Sequence, residues 1–285
     1  MSKAIALLAC CLLAAPALLH FNGAQSLLSA ALGPREPARF TPDGAVACFT
    51  APAHDLPPLD LSDMRLWNYK GKWHASEWEN AFSFIPWRHD HVRRMPNGDV
   101  AMTLDAQGAP ELKSEAGIPM ADRGLWEVEA TLPKMRDGLV VAPLWLYNQA
   151  HKEELDFEFA GARGLDVSIH AYPGGVHHKQ TVRLFENTDF SGCTVRLGIE
   201  ADIPAGWARM HVNGVPVHEF RRDELGYFVT QEARPIIEMW AARTNHPGFV
   251  AWAGKWQGLA PGEKLDLVIH GYRYTPPPEP PVQRP

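Results

Sequence analysis

Between residues 64 and 274 the sequence is a succession of short apolar or alternating runs separated by turn residues. The runs are DVAMTL, LWEVEATL, LVVAPLWLY, LDFEFA, LDVSIHAY, CTVRLGIE, ARMHV, PIIEMWA and LDLVIHGYRY. No long stretch keeps the period of an amphipathic helix. Asn213-Gly214, between ARMHV and VPVHEF, is a strong signal for a two-residue hairpin. Many short strands joined by regular turns predict an all-β fold, and a sandwich in particular.

The amino-acid composition narrows the range of functions that we expect for the chain. With 285 residues, of which 46% are hydrophobic, the chain can bury one large core or two modest ones. Ten tryptophans are many for this length, and the broad apolar face of tryptophan is what sugar-binding clefts stack on pyranose rings. The net charge of −6 is spread along the chain, so nucleic acid is not an expected partner.

The first 25 residues indicate export. Lys3 precedes an apolar run of signal-peptide length. Cleavage would give a secreted or periplasmic protein, whereas an uncleaved segment would anchor the chain in a membrane. Leu7-Leu8-Ala9-Cys10 also resembles a lipoprotein cleavage box, so lipidation is a third alternative.

The remaining chain divides by composition. Residues 26–63 are proline-rich and are expected to be a linker or irregular wrapping, residues 64–274 form the main domain, and residues 275–285 form a disordered proline-rich tail. After removal of the first segment, Cys48 and Cys193 remain. They could pair in an oxidising compartment, or Cys193 could be a buried free thiol.

The most unusual stretch is EELDFEFAG at residues 153–161. On a β-strand, Glu154, Asp156 and Glu158 share one face, and three apolar residues share the other. Three like charges in a row repel one another, so a function is expected to compensate for this. An exposed acidic strand or a calcium site would be alternatives, but the Gly and Asn spacing of a calcium loop is absent.

The spacing of the two glutamates suits a particular chemistry. Their Cα atoms are ~13 Å apart on a strand, and side chains that lean together could bring the carboxyls to roughly 5–6 Å. A retaining glycosidase needs this separation between its nucleophile and its acid/base. Asp156 would hydrogen-bond the nucleophile and help to raise the pKa of the acid through like-charge coupling. The motif is short, however, and other segments have to support it.

The surrounding sequence resembles glycoside hydrolase family 16, and within it the bacterial lichenase-like β-glucanases. Those enzymes carry an E-[IL]-D-[IF]-E-F-x-G strand, which Glu154 to Gly161 match. The segments WHASEWENAFSFIPWRHDHVRRMPNGDVAMTL, GWARMHVNGVPVHEF and PIIEMWAARTNHPGFVAWAGKWQG also resemble the family, in the family's order, across residues 64–274. The resemblance implies a concanavalin-like jelly-roll sandwich of two curved antiparallel sheets with an open substrate cleft.

The resemblance also implies an activity. It suggests a retaining endo-β-glycan hydrolase acting on β-1,3-1,4-glucan, β-1,3-glucan or a bacterial exopolysaccharide, with a polysaccharide as its partner and no cofactor. We expect the protein to be a monomer. A transglycosylase with the same residues and a non-catalytic glycan-binding sandwich are the alternatives. Carried over by position, Glu154 is the nucleophile, Asp156 its supporting carboxylate and Glu158 the acid/base. The implied sugar contacts are His170, Trp87, Trp240, Glu111 and Lys113. Trp126 and Trp145, in apolar strands, are assigned to the core.

The sequence departs from the family at several positions. Ala150-His151-Lys152 replace a tryptophan that many relatives place before the acidic strand, and Ala241-Ala242-Arg243 replace an Asn-Gly. Lys113, Arg243 and nearby His177 and His178 suggest a cleft that binds a substrate with acidic groups. Arg243 is therefore a further candidate substrate contact. His270 stands where the family has a calcium-binding aspartate, so no metal is expected.

Overall fold

A computed structural model describes residues 55–62 and 71–278. The predicted export segment at 1–25, most of the segment at 26–63 and the end of the tail lie outside the described residues, as does Cys48. No helix in the described part is long and apolar enough to cross a membrane.

Strands dominate the described chain. The strands are β1 (Trp73–Ala75), β2 (Val92–Arg94), β3 (Val100–Leu104), β4 (Glu111–Ser114), β5 (Arg123–Thr131), β6 (Leu139–Asn148), β7 (Glu153–Ala160), β8 (Leu165–Ala171), β9 (His178–Leu184), β10 (Thr194–Asp202), β11 (Trp207–Val212), β12 (Val215–Arg221), β13 (Arg234–Ala241) and β14 (Leu265–Thr275). Two short α-helices, α1 (Arg222–Leu225) and α2 (Pro247–Ala253), and two 3₁₀ turns, His89–His91 and Pro173–Gly175, connect them. The last strand thus includes Thr275, the first residue of the predicted tail.

The strands form two seven-stranded antiparallel sheets. The front sheet has the order β1-β4-β13-β6-β7-β8-β9, and the back sheet has the order β12-β11-β10-β5-β14-β3-β2. The expected jelly-roll sandwich is confirmed. The predicted hairpin at Asn213-Gly214 joins β11 to β12, and both of its residues adopt the positive φ that this turn requires, 52° and 77°.

The core lies between the two sheets. In β7, Leu155, Phe157 and Phe159 are at most 2% exposed, and burying each phenylalanine stabilises the fold by roughly 1.5–3 kcal/mol. Because side chains alternate along a strand, this burial turns Glu154, Asp156 and Glu158 to the outer face of the front sheet. The neighbouring strand β6 carries a bulge, since its pairing with β7 shifts register between Val141 and Leu144.

Residues 55–62 pack on the back sheet without regular structure. Leu56 and Leu59 are 7% and 4% exposed, and the backbone N–H of Tyr272 in β14 donates to the carbonyl of Pro57 at 3.0 Å. Arg196 in β10 forms an ion pair with Asp55. This part of the proline-rich segment therefore wraps the domain, one of the two alternatives expected from the sequence.

Cys193 is buried and forms a disulfide. The free-thiol alternative is therefore wrong. The partner cysteine lies outside the described residues, and pairing with Cys48 remains a prediction.

Candidate active site

The acidic row of β7 lies on the outer face of the front sheet. Asp156 is buried, while Glu154 and Glu158 are partly exposed. The three carboxyls predicted from the alternation of EELDFEFAG therefore share one surface, backed by the apolar core. A substrate lying across this sheet would reach both glutamates from solvent.

Strand pairing places a row of side chains beside each acid. Neighbours in the front sheet pair as follows: Tyr147, Glu154, His170 and Lys179; Trp145, Asp156, Ser168 and Thr181; Glu158, Asp166 and Arg183. Sequence reasoning had found Glu154, Asp156, Glu158 and His170 in this set. The others contribute through cross-strand contact, which depends on the register of the four strands β6 to β9.

Burial changes the proton affinity of all three acids. It raises the pKa of Glu154 to about 7, with the charge of Glu158 adding to the effect. It also raises the pKa of Glu158 to about 7, with Asp166 adding to the effect. The pKa of Asp156 lies well above the ordinary value because of burial and then the charges of Glu154 and Glu158. Near neutral pH the row can therefore hold a protonated and an ionised carboxyl together.

A like charge that the sequence did not predict adds to the raised pKa of Glu158. It is Asp166, the cross-strand partner of Glu158 in β8. Asp166 is fixed by two 2.8 Å bonds from Arg183 and a 2.6 Å bond from the indole N–H of Trp252. It is thus a rigid acceptor beside the candidate acid.

His170 lies between two of the acids. Its Nδ1 is 3.6 Å from a carboxylate oxygen of Glu154, and its Nε2 is 3.6 Å from one of Asp156. Burial lowers the pKa of His170 to about 3, helped by Lys179 and His177, so the imidazole is neutral and offers one N–H. His177 stacks on His170 and on Tyr172, with ring centroids 5.2 and 4.7 Å away.

The same groups are the metal-ligand set found among the described residues. One donor atom each from Glu154, Asp156 and His170 lies within 4.8 Å of the others. A metal bound there would occupy the carboxyls of the acidic row. The expectation of no metal remains a prediction.

Glu111 and Lys113 in β4, both predicted sugar contacts, pair with each other. Lys113 Nζ lies 3.2 Å from Glu111 Oε1 and 4.8 Å from the ring centre of Trp78. The hydroxyl of Ser76 also donates to Glu111. The charge of Lys113 is therefore largely offset within the protein.

A fourth carboxyl, Glu238 in β13, was not predicted. It is the cross-strand partner of Glu111. Burial, the charge of Glu111 and a hydrogen bond with Glu111 raise the pKa of Glu238 well above its ordinary value. It accepts a 3.0 Å bond from the indole N–H of Trp240. A protonated Glu238 can accept from Trp240 and donate to Glu111, which satisfies both neighbours.

The assignment of Trp145 to the core is wrong. Trp145 pairs with Asp156 across β6 and β7, so it lies on the acidic face, half-buried against Tyr147 at a centroid distance of 5.1 Å. Trp126, by contrast, is 1% exposed in the core, as predicted. Trp145 and Tyr147 give the acidic face an aromatic floor that the sequence reasoning missed.

The two tryptophans predicted to contact sugar are both 5% exposed. Both belong to the main hydrophobic core, which does not fit their predicted role as contacts in the cleft. Trp240 lies on the same face as Glu238, but the rings of Phe82 and Phe249 pack on it at 5.9 and 5.6 Å. Phe82, which is 56% exposed, is the accessible ring at this position.

Three positions at which the sequence differs from the pattern it resembles lie among the described residues. Lys152 has a left-handed φ of 58° in the exposed turn between β6 and β7. His270 lies 3.0 Å from Asp99 and 2.7 Å from the hydroxyl of Thr131. Arg243 follows the end of β13, and its guanidinium lies over the ring of Phe84 at 4.8 Å.

The fold and the candidate site together indicate which kind of chemistry this surface can support. An antiparallel sandwich presents carboxyls with raised pKa values, a neutral histidine and partly exposed aromatic rings on the open face of one sheet. Such a surface suits acid/base and nucleophilic chemistry on a polar, extended ligand.

Solved structures share this fold. The β-glucanase of Bacillus licheniformis matches with a TM-score of 0.59 and 20% identity, covering 74% of this chain and 95% of the other. A lichenase from a mouse hindgut metagenome matches with a TM-score of 0.57 and 17% identity, covering 74% and 96%. The Crh5 transglycosylase matches with a TM-score of 0.53 and 14% identity, covering 80% and 91%. No protein-family model and no curated protein matches the sequence. The expected lichenase-like fold is confirmed by these structures.

Proposed function

We propose that this protein is a retaining glycoside hydrolase that cuts β-glycans within the chain. The observation that carries the proposal is the pair Glu154 and Glu158 on one face of β7, with buried Asp156 between them. The likeness in fold to β-glucanases and to a transglycosylase supports it.

The proposed reaction has two steps. Glu158, protonated near neutral pH, gives its proton to the glycosidic oxygen, while ionised Glu154 attacks the anomeric carbon and forms a glycosyl ester. Glu158, now ionised, takes a proton from water as the water oxygen attacks the same carbon and releases Glu154. Two inversions leave the configuration unchanged.

Asp156 and His170 prepare the nucleophile. A protonated Asp156 is a hydrogen-bond donor, and an ionised Glu154 is the acceptor that it lacks. His170 Nδ1 lies 3.2 Å from Nε2 of His177. When Nδ1 accepts this bond, neutral His170 keeps its Nε2–H for Asp156 or a sugar hydroxyl. Neither Asp156 nor His170 carries a positive charge, which would lower the pKa values of the three acids. Glu158 therefore keeps the proton that it has to deliver.

The substrate class that we propose rests on the same similar structures. Mixed-linkage or β-1,3-glucan is the substrate we propose first, because the similar structures include glucanases, and a bacterial exopolysaccharide is second. The predicted export of the chain to the periplasm or outside the cell would bring it to such polymers. Transfer to a sugar acceptor instead of water would use the same residues, and the similar Crh5 structure favours testing it.

Reducing ends released from a polysaccharide panel test the proposal. The panel contains barley mixed-linkage glucan, laminarin, agarose, carrageenan and acidic bacterial exopolysaccharides. Glu154→Gln should abolish cleavage, and Glu158→Gln should slow it by roughly 10²–10⁴-fold. Glu224→Gln removes an exposed acid of α1 and should cut like the wild type.

Cleavage that survives in Glu154→Gln would refute the proposed role of the acidic row. A wild-type protein that binds a polymer without cutting it would instead support a glycan-binding module. Products longer than the starting oligosaccharide would assign transglycosylation.

A further inference from the structure

Arg243 is held in place without a carboxylate. Its Nη2 donates to the carbonyl of Asn80 at 3.4 Å, and its guanidinium lies over the ring of Phe84. Its Nε is buried and has no hydrogen-bond partner among the described residues. Its backbone N–H donates to the carbonyl of Phe82 at 2.9 Å. The loop that follows β1 therefore positions this side chain.

Several other partly buried arginines of the domain pair with acids. Arg136 pairs with Glu263, Arg183 with Asp166, and Arg209 with Glu200 and Glu219. Arg243 is half-buried and has no carboxylate partner among the described residues. Its guanidinium can therefore pair with an acidic group of a ligand.

A second unpaired donor lies beside it. Asn80 is 2% exposed, and its Nδ2 has no hydrogen-bond partner within the described part of the chain. Its Oδ1 accepts from the backbone N–H of Phe82, which fixes the side-chain amide. Asn80 therefore acts as a rigid support for Arg243, whose guanidinium brings one positive charge to this corner.

Exposed rings adjoin these donors. Phe82 and Phe84 are 56% and 60% exposed. Phe82 packs on Trp240, which bonds to Glu238, and the charge of Glu158 acts on Glu238. The corner is thus continuous with the acidic face. Exposed aromatic rings beside fixed polar groups are a frequent feature of ligand sites.

We propose that Arg243, held by the loop that contains Asn80, forms a subsite for a carboxylate-bearing sugar, whose ring would lie on Phe82 and Phe84. A planar guanidinium suits a carboxylate because it can donate two parallel hydrogen bonds. The inference rests on the proposed function in taking the ligand to be a glycan. It also narrows the hypothesis from the sequence, because Lys113 is already paired with Glu111 and His177 stacks on Tyr172.

Matched pairs of polymers test the subsite. Laminarin and barley mixed-linkage glucan are used neutral and after partial oxidation of C6 to carboxylate, so that backbone and linkage stay the same. Binding is measured by affinity electrophoresis with Glu154→Gln, which prevents cleavage. Glu154→Gln should bind the oxidised form of at least one polymer about tenfold more tightly than its neutral form, a difference of about 1.4 kcal/mol.

Second substitutions in this background assign the preference. Arg243→Gln should bring the ratio of the two dissociation constants close to one, and Arg243→Lys should keep part of the preference because it keeps the charge. Arg93→Gln is the matched control, since it removes an exposed arginine from β2 of the back sheet and should leave the ratio unchanged. Both affinities come from the same protein sample, so a loss of folded protein does not alter their ratio.

Equal binding of neutral and oxidised polymers by Glu154→Gln would overturn the subsite, as would a preference that survives Arg243→Gln. Failure to bind any of the four polymers would also overturn it. Cleavage of the same polymers by the wild type is scored separately. Preferential binding without cleavage would uphold the subsite and refute the proposed hydrolase.

Discussion

Lys179 in β9 opposes the raised pKa values of the acidic row. Its charge favours the ionised forms of Glu154, Asp156 and Glu158. Lys179→Met should therefore raise the pKa of both glutamates, and both limbs of the pH–activity curve should move to higher pH. The measurement is kcat/KM from pH 4 to pH 10, with Lys179→Arg as the control that keeps the charge. An unchanged curve, or one moved to lower pH, would contradict the proposed coupling.

Glu238 should make stability fall as the pH rises. Its pKa in the folded protein is raised well above 4.5, so its stabilising effect is complete below pH 4.5 and declines as the pH rises towards its folded pKa. Glu238→Gln removes this dependence and keeps a donor for Glu111 and an acceptor for Trp240. Relative to wild type, the variant should gain several degrees in Tm between pH 5 and pH 9. The exposed control Glu224→Gln should show no such trend, and a gain at acidic pH instead would refute the assignment.

At the scale of single residues, the sequence predicts those features that depend only on the alternation of side chains along one strand. Glu154, Asp156 and Glu158 follow from EELDFEFAG itself. Asp166 and Glu238 do not, because they act on the acids from β8 and β13, and only the strand order brings them there. The pairing of Lys113 with Glu111 is visible in the sequence as two residues on one face of β4.

Among the elements, the hairpin of β6 and β7 determines the surface of the site. Asn148 pairs with Glu153 across the turn, so Tyr147 lies opposite Glu154, and Trp145 lies opposite Asp156. The apolar run LVVAPLWLY hid this arrangement, because both faces of β6 are rich in large apolar residues. Counting outward from the turn that precedes the acidic strand would have placed Trp145 on the acidic face.

The two tryptophans Trp126 and Trp145 give a paired test of this arrangement. Trp126→Ala should lower the free energy of unfolding by about 3–5 kcal/mol, because it opens a cavity in the core. Trp145→Ala should cost less stability, since its side chain is partly exposed, but it should lower kcat/KM on the polymer that the wild type cuts. Urea unfolding and initial rates measure the two effects. Equal losses of stability with unchanged kinetics in Trp145→Ala would return Trp145 to the core.

At the scale of the whole molecule, the described residues form two packed sheets and a short segment that wraps the back sheet. The many short runs with regular turns predict the sandwich, and the collinear resemblance predicts its jelly-roll form. The sequence does not decide how residues 55–62 pack, because a proline-rich sequence suits both a free linker and a strap, that is, a segment that packs on the domain. Leu56 and Leu59, two apolar residues three positions apart, are buried, and this burial identifies residues 55–62 as a strap and not a free linker.

The strap should contribute measurably to stability. Leu59→Ala removes a side chain that is 4% exposed and should lower the free energy of unfolding by about 2–5 kcal/mol. Pro58→Ala changes an exposed neighbour and should stay within about 1 kcal/mol of wild type. Urea denaturation compares the three proteins. A loss below 1 kcal/mol in Leu59→Ala would mean that the segment rests on the domain without stabilising it.

The stereochemistry of the first product tests the proposed chemistry of the acidic row most directly. Proton NMR of a polymer digest, recorded before mutarotation, shows which anomer is released. Attack by Glu154 followed by attack of water predicts the β-anomer first, with no product from Glu154→Gln. Release of the α-anomer first, or of either anomer by Glu154→Gln at the wild-type rate, would contradict a glycosyl-enzyme formed on Glu154.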